Sequence, residues 1–192
     1  TKEVCLLHGV TSSGKTEIYV RLIHEVLRLG RQVLYMLPEI AITTQITERL
    51  AKLFGDKLLV YHSKFSDNER VEVWNRLLHT GEPMLVLGVR SSLFLPFKDL
   101  GLIIIDEEHE NTYKQQDPAP RYHARNAAIV LASMYGAKTL LGTATPSVET
   151  WHNATSGKYG LVELKERYKE IQLPEIIPVD IKELHRKKKM NG

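Results

Sequence analysis

The stretch from Gly9 to Thr16 constrains this chain more than any other, because it fits the pattern G-x-x-x-x-G-K-[ST] of a phosphate-binding loop. The apolar run Val4 to Leu7 precedes it, and apolar side chains at helical spacing follow it from Glu17 to Leu29. Strand, glycine-containing loop and helix is the context that the motif requires. Backbone N–H groups of such a loop and the positive end of the helix bind a phosphate chain. The predicted nucleotide-binding residues are Gly9, Val10, Thr11, Ser12, Ser13, Gly14, Lys15 and Thr16.

A second motif, the acidic box, consists of an apolar strand that ends in Asp106, Glu107, Glu108 and His109. In a phosphate-loop enzyme the first carboxylate holds Mg²⁺ together with the loop hydroxyl, here Thr16, while the loop lysine reaches the β- and γ-phosphates. The second carboxylate orients or deprotonates the attacking water. We therefore predict Lys15, Asp106 and Glu107 as catalytic residues, Thr16 and Asp106 as metal ligands, and ATP and Mg²⁺ as cofactors. Glu108 is interpreted as solvated. An ordinary strand that ends in a polar turn is the alternative.

The order of segments predicts an α/β fold with a mostly parallel central sheet. Uniformly apolar runs alternate with helical segments up to Leu164, which is typical of a sheet covered on both faces. Ligands of such sheets bind at the carboxyl ends of the strands, where the polar clusters of this chain lie. Ser66 and Glu69 predict a capping box at the start of one helix. Residues 1–164 are expected to form one domain and residues 165–192, with the basic run Arg186 to Lys189, a linker.

Net charge does not indicate a nucleic-acid-binding protein. The chain has 26 Lys and Arg against 23 Asp and Glu, and the excess lies in residues 165–192, with 8 basic against 5 acidic residues. Residues 1–164 carry 18 of each. No apolar run is long enough to span a membrane, and the single cysteine, Cys5, is interpreted as a buried thiol. We expect a cytoplasmic protein without a membrane partner.

Three further segments carry candidate residues. In Asn111 to Arg125, aromatic rings can stack on bases and cations can meet phosphates; a well-packed surface loop is the alternative. In Gly142 to Pro146, hydroxyls can reach the acidic box; alternatively Thr145 caps a helix that begins at Pro146. Arg90 follows a strand; the family resemblance given below implies that it touches the DNA backbone, and a solvated turn residue is the alternative. The predicted DNA contacts are Arg90, Tyr113, Lys114, Arg121, Tyr122, His123 and Arg125.

The phosphate loop, the box Asp106 to His109 and the segment Thr143 to Thr145 together resemble superfamily 2 helicases. A closer resemblance is to the PriA family of primosomal replication-restart DNA helicases, over about residues 4–183. It rests on Leu37-Pro38-Glu39-Ile40, Tyr61-His62-Ser63, Gly88-Val89-Arg90-Ser91, Tyr113-Lys114-Gln115-Gln116 and Arg121-Tyr122-His123-Ala124-Arg125.

This resemblance implies the first of two RecA-like, three-layer lobes of a bacterial, ATP-dependent 3′–5′ DNA helicase. It also implies action at stalled forks with primosome proteins, and coupling of nucleotide state to DNA by His109, Thr143 and Thr145. Ser12 departs from the glycine usual in that family, and the family's zinc module needs several cysteines. The arginine finger belongs to the second lobe, so this lobe alone is expected to be little active. The alternatives are a nucleotide-gated DNA-binding module and a non-helicase phosphate-loop NTPase.

Overall fold

The computed structural model describes residues 2–10, 13–62 and 65–165, in which five helices and nine strands alternate. In chain order they are β1 (Val4–Gly9), α1 (Lys15–Arg28), β2 (Gln32–Met36), α2 (Thr44–Phe54), β3 (Leu58–Tyr61), α3 (Asp67–His79), β4 (Leu85–Gly88), β5 (Leu100–Asp106), β6 (Lys114–Gln115), β7 (Tyr122–His123), α4 (Ala124–Tyr135), β8 (Lys138–Thr143), α5 (Val148–Thr155) and β9 (Gly160–Leu164).

Seven of these strands form one sheet in the order β3-β4-β2-β5-β8-β1-β9, and every neighbouring pair is parallel. The predicted α/β class with a mostly parallel sheet is therefore confirmed. The remaining two strands, β6 and β7, pair antiparallel as a small hairpin after the acidic box. The sequence analysis treated that segment as a loop.

Helices cover both faces of the sheet, as the central strand β5 shows most clearly. Leu102 and Ile104 pack into an apolar cluster with α1 and α2, whereas Ile103 and Ile105 pack into a second cluster with α3, α4 and α5. Successive side chains of a strand point to opposite faces, so a strand between two layers of helices has to be apolar throughout. Burial of each such side chain contributes about 1.5–3 kcal/mol.

Helix starts follow local capping chemistry. The Ser66 side chain accepts the Glu69 N–H (3.4 Å) and the Glu69 carboxylate accepts the Ser66 N–H (2.8 Å), which confirms the predicted capping box. The predicted alternative of a Thr145 cap is wrong. Ser147 caps α5 and accepts the Thr150 N–H at 3.3 Å, so the helix begins two residues later than that alternative required.

The strand register brings the polar clusters to one edge of the sheet. Asp106 at the end of β5 pairs with Gly142 of β8, and the next residue of β8, Thr143, pairs with His8 of β1. The phosphate loop leaves β1 directly after His8. Only β8 therefore separates the loop from the acidic box. The predicted linker, residues 165–192, lies outside the described residues apart from Lys165.

Candidate active site

The phosphate loop connects β1 to α1 through a left-handed residue. Gly14, the residue before the helix, has φ +87°, a conformation that glycine adopts without steric cost. The Ser13 N–H donates to the Val10 carbonyl (3.1 Å) and the Lys15 ammonium donates to the Gly9 carbonyl (2.7 Å), so the chain folds back on itself. Thr11 and Ser12 lie outside the described residues.

Three features of this loop fit a bound phosphate chain. No side chain caps the N-terminus of α1, which leaves its N–H groups for an external acceptor. Ser13 Oγ is buried and has no hydrogen-bond partner within the described ranges. Lys15 is buried, and its one hydrogen bond to a described residue goes to a carbonyl rather than to a carboxylate. An anion held by these groups would satisfy all three.

Asp106 is held by two buried tyrosines. Its Oδ1 accepts the hydroxyl of Tyr19 from α1 (2.9 Å), and its Oδ2 accepts the hydroxyl of Tyr35 from β2 (3.3 Å). Burial raises the pKa of Asp106, and these hydrogen bonds and the charge of Lys15 oppose that rise. The Tyr19–Asp106 hydrogen bond links α1, which follows the phosphate loop, to the acidic box.

Glu107 follows with a backbone conformation that is unusual for its residue type. Its φ is +48°, in the left-handed region that costs a non-glycine residue about 1–2 kcal/mol. This turn ends the strand and leaves the carboxylate half-buried. Burial and the neighbouring Asp106 both raise the pKa of Glu107. A carboxylate of raised pKa is suited to accept a proton from water.

The candidate coupling residues lie in contact. His109 Nδ1 is 2.7 Å from Thr143 Oγ1, and His109 Nε2 is 3.4 Å from Thr145 Oγ1. Thr143 Oγ1 also accepts the Thr145 N–H at 3.1 Å. The acidic box on β5 is thus linked by hydrogen bonds to the segment after β8, and His109 also lies 3.7 Å from the Glu107 carboxylate.

The donor set fits Mg²⁺ with phosphate oxygens better than an all-protein metal site. The described residues contain no group of three or more His, Cys, Asp or Glu side chains that could hold a metal ion. Magnesium typically takes one or two carboxylates, several waters and substrate phosphates. Thr16 at the start of α1 and Asp106 at the end of β5 would be the protein ligands of such an ion.

Tyr113 is not a surface residue, and its predicted stacking on DNA bases is wrong for this structure. The side chain is 1% exposed, and its hydroxyl donates to the Asp106 carbonyl (2.7 Å) and the Met36 carbonyl (3.2 Å). Met36 and Asp106 are the last residues of β2 and β5. The Tyr113 ring packs in the apolar core, and its hydroxyl links the ends of these two strands.

Arg125 and Glu108 correct two further predictions. Arg125 is buried and donates to the Glu108 carboxylate at 2.6 Å, so it is not available to a DNA phosphate. Glu108 is 1% exposed rather than solvated. It also accepts the Ser147 N–H (2.7 Å), the Ser147 hydroxyl (3.1 Å) and the Thr150 hydroxyl (2.9 Å). We call these four residues the buried clasp.

The other predicted DNA contacts remain on the surface around the hairpin. A groove of about 640 Å³ is lined by residues of β6, β7 and their turn, among them Lys114, Arg121, Tyr122 and His123. Arg90 lies beside it and donates to the Thr112 carbonyl at 2.9 Å. Burial and the charge of Arg125 lower the pKa of His123. The ring of Phe94, which the sequence analysis did not select, meets Tyr122 edge-on at 5.3 Å.

The comparisons with known proteins agree with this geometry. The family model for DEAD/DEAH box helicases matches residues 1–154. The chain belongs to the DEAD/DEAH box helicase family. Membership in this family implies the use of ATP with Mg²⁺, and the loop and acidic box described above are the residues that fit those groups.

The curated relatives are replication restart proteins named PriA. The chain is 45% identical to the one from Bacillus subtilis over 181 residues, 94% of this chain and 22% of the relative. It is 48% identical to the one from Rickettsia conorii over 176 residues, 92% of this chain and 27% of the relative. The chain therefore spans about a quarter of the length of these relatives.

Solved helicase structures share the fold. The Pyrococcus furiosus Hef helicase domain superposes with a TM-score of 0.60 at 19% identity, over 88% of this chain and 37% of that one. RecG bound to a three-way DNA junction gives 0.60 at 22% identity, over 87% and 21%. At these identities they show the fold alone, a RecA-like helicase domain. Within the described part of the chain, no helix combines the length and apolarity needed to cross a membrane.

Proposed function

We propose that this chain is the ATP-binding lobe of an ATP-dependent 3′–5′ DNA helicase that acts in replication restart and primosome assembly in the bacterial cytoplasm. The observation that carries the proposal is that the phosphate loop and the acidic box lie at one edge of the sheet, separated by β8 alone, and that Tyr19 of α1 donates its hydroxyl to Asp106 at 2.9 Å. The names of the PriA relatives supply the process.

In the proposed site, Lys15 and the N-terminus of α1 bind the phosphate chain, and Thr16 and Asp106 hold the magnesium ion. Bound magnesium neutralises charge on the transferred phosphoryl group. Glu107 orients the attacking water and accepts its proton. His109, Thr143 and Thr145 carry changes at the acidic box to the segment before α5. Hydrolysis by this lobe alone is expected to be barely above background. The arginine finger, which increases the rate about 10³–10⁵-fold, belongs to the second lobe of such helicases.

Single-stranded DNA is proposed to bind at the hairpin groove. Lys114 and Arg121 are exposed cations and Tyr122 is a partly exposed ring in the same groove. Stacking on aromatic rings beside cations that meet phosphates is the usual chemistry of single-strand binding. The remaining predicted contacts, Arg90 and His123, flank Tyr122.

A crossed binding experiment tests both halves of this proposal. The chain is titrated with ADP in the presence of Mg²⁺ by calorimetry, and with a single-stranded oligothymidylate by fluorescence anisotropy. Lys15→Ala should weaken ADP binding at least tenfold, about 1.4 kcal/mol, and leave the oligonucleotide affinity unchanged. Arg121→Ala should weaken oligonucleotide binding about threefold to tenfold, with a smaller salt dependence, and leave ADP affinity unchanged.

Each variant is the control of the other, and Lys138→Ala is a control for both. Lys138 lies at the start of β8, at the opposite edge of the sheet, in an exposed ion pair with Glu3. Unchanged ADP affinity in Lys15→Ala would overturn the nucleotide site. Equal loss of oligonucleotide affinity in Arg121→Ala and Lys138→Ala would overturn the DNA groove.

A further inference from the structure

Two tyrosines from different elements converge on one carboxylate. Tyr19 on α1 and Tyr35 on β2 are 0% and 1% exposed, and each donates its hydroxyl to a different oxygen of Asp106. Their rings meet edge-on, with centroids 5.5 Å apart. Neither the nucleotide chemistry nor the DNA groove proposed above uses these two hydroxyls.

The backbone around Tyr19 makes room for this contact. A Cβ on Gly142 of β8 would lie 1.7 Å from the Tyr19 hydroxyl and 3.2 Å from Asp106 Oδ1. Any other residue at position 142 would therefore displace the hydroxyl or the carboxylate. Tyr19 also lies one helical turn after Lys15, so the helix that carries the phosphate-binding lysine carries a tether to the acidic box as well.

The hydrogen bonds fix the carboxylate without using up its acceptor capacity. An ionised carboxylate offers about four lone-pair sites; the two phenol hydroxyls and the Glu107 N–H, which donates to Oδ1 at 3.1 Å, take three of them and leave one. The two donors approach different oxygens, so together they oppose rotation of the carboxylate plane. Groups that orient a metal ligand in this way typically affect metal affinity by about 10–100-fold when they are removed.

We propose that Tyr19 and Tyr35 are positioning residues that hold the Asp106 carboxylate in the orientation in which it receives the magnesium ion of a bound nucleotide. The inference rests on the nucleotide site proposed above and adds to it these two tyrosines and Gly142, which makes room for Tyr19. Part of the metal affinity then depends on α1 and β2, which carry these tyrosines, and not on the acidic box alone.

The experiment measures ADP affinity with excess Mg²⁺ and with EDTA, in the unaltered chain and in Tyr19→Phe and Tyr35→Phe. The dissociation constant in EDTA divided by the dissociation constant in excess Mg²⁺ reports the contribution of the metal. The dissociation constant in EDTA shows by itself that the variant is folded and binds phosphate. We expect the ratio to fall about tenfold in each variant while the EDTA value stays constant. Direct titration with Mn²⁺ in the presence of ADP, followed by electron paramagnetic resonance, should show the same loss.

Tyr135→Phe is the matched control, because Tyr135 donates its partly buried hydroxyl to the Phe97 carbonyl (2.7 Å), away from the site. Gly142→Ala should reproduce the loss seen in Tyr19→Phe. An unchanged ratio in both tyrosine variants, or an equal fall in Tyr135→Phe, would overturn the inference alone. Absence of ADP binding by the unaltered chain would instead contradict the proposed function, and the inference with it.

Discussion

At the residue scale, Asp106 is a carboxylate buried at the end of β5, and burial decides which protonation state the folded chain favours. Desolvation raises its pKa, while the tyrosine hydroxyls and Lys15 only partly oppose the rise. Burial therefore makes the charged form of Asp106 less favourable in the folded chain than in the unfolded chain. A bound cation would compensate that charge, which is the expected environment of a metal ligand whose metal arrives with a substrate.

This environment predicts a pH-dependent effect of Asp106→Asn on stability. An aspartate in the unfolded chain has a pKa of about 3.9. Because the pKa of Asp106 is higher in the folded chain, the folded chain binds more protons than the unfolded chain in the pH window just above 3.9. The free energy of unfolding of the original chain then falls as the pH rises through the window, while asparagine does not titrate. The stability of Asp106→Asn relative to the original chain should therefore grow from about pH 4 upward and then level off.

Urea unfolding of both proteins at intervals from about pH 4 to pH 8 measures this difference. Titrating groups that do not interact with Asp106 are common to the two proteins and cancel. Glu107, whose pKa Asp106 raises, changes the difference in the same direction as Asp106 itself. A difference that stays constant with pH, or that changes in the opposite direction, would contradict the raised pKa of Asp106.

At the element scale, the buried clasp joins three elements that the sequence separates widely. Glu108 follows β5, Arg125 lies in the first turn of α4, and Ser147 and Thr150 begin α5. One carboxylate accepts hydrogen bonds from all three partners, so the ends of these elements move together. Because its lone pairs are satisfied, the buried charge of Glu108 is tolerated.

Removal of the cation should be costly. Arg125→Met keeps much of the apolar volume but leaves the Glu108 carboxylate without its counter-charge, and breaking a buried ion pair costs about 3–5 kcal/mol. Urea unfolding of Arg125→Met should show a loss of this size. Arg121→Met is the control, since Arg121 is exposed and a surface substitution of this kind stays within about 0.5 kcal/mol. A loss below about 1 kcal/mol in Arg125→Met would show that the clasp is not a structural unit.

The sequence predicted the elements better than it predicted the direction of individual side chains. Apolar runs and the Ser66–Glu69 capping box depend on local periodicity and local hydrogen bonds, which neighbouring residues determine. Tyr113 lies in a segment without periodicity and Arg125 in the first turn of α4, so nothing local indicated that they point inward. Their burial depends on partners in other strands and helices, at Asp106 and at Glu108.

The positions of Tyr19 and Tyr35 in the sequence already indicate that a polar group lies near them. Tyr35 lies among apolar residues of β2, and Tyr19 lies one turn after Lys15 of the phosphate loop. A buried phenol hydroxyl needs a hydrogen-bond partner, so two tyrosines in buried positions indicate a polar group nearby. Which group it is depends on strand order, because β2 and β5 are neighbours in the sheet but not in the sequence.

At the scale of the whole molecule, parallel strand register assembles the site. The phosphate loop, the acidic box and the Thr143–Thr145 segment follow three different strands, and all lie at the carboxyl edge of one sheet. The hairpin groove follows the acidic box along the chain. Along the chain, the short segment Asp106 to Tyr113 therefore connects the proposed nucleotide site to the proposed DNA groove.

The central claim, that the phosphate loop and the acidic box bind one nucleotide and its metal, is tested most directly by paramagnetic broadening. The ¹⁵N-labelled chain is titrated with ADP and substoichiometric Mn²⁺, a stand-in for Mg²⁺, and amide signals are followed by NMR. We expect the amides of Gly14, Lys15, Thr16, Asp106 and Glu107 to broaden together, while those of Lys138, at the start of β8, and Gly81, in the turn before β4, stay sharp. Broadening confined to the loop, with Asp106 and Glu107 unaffected, would contradict the central claim.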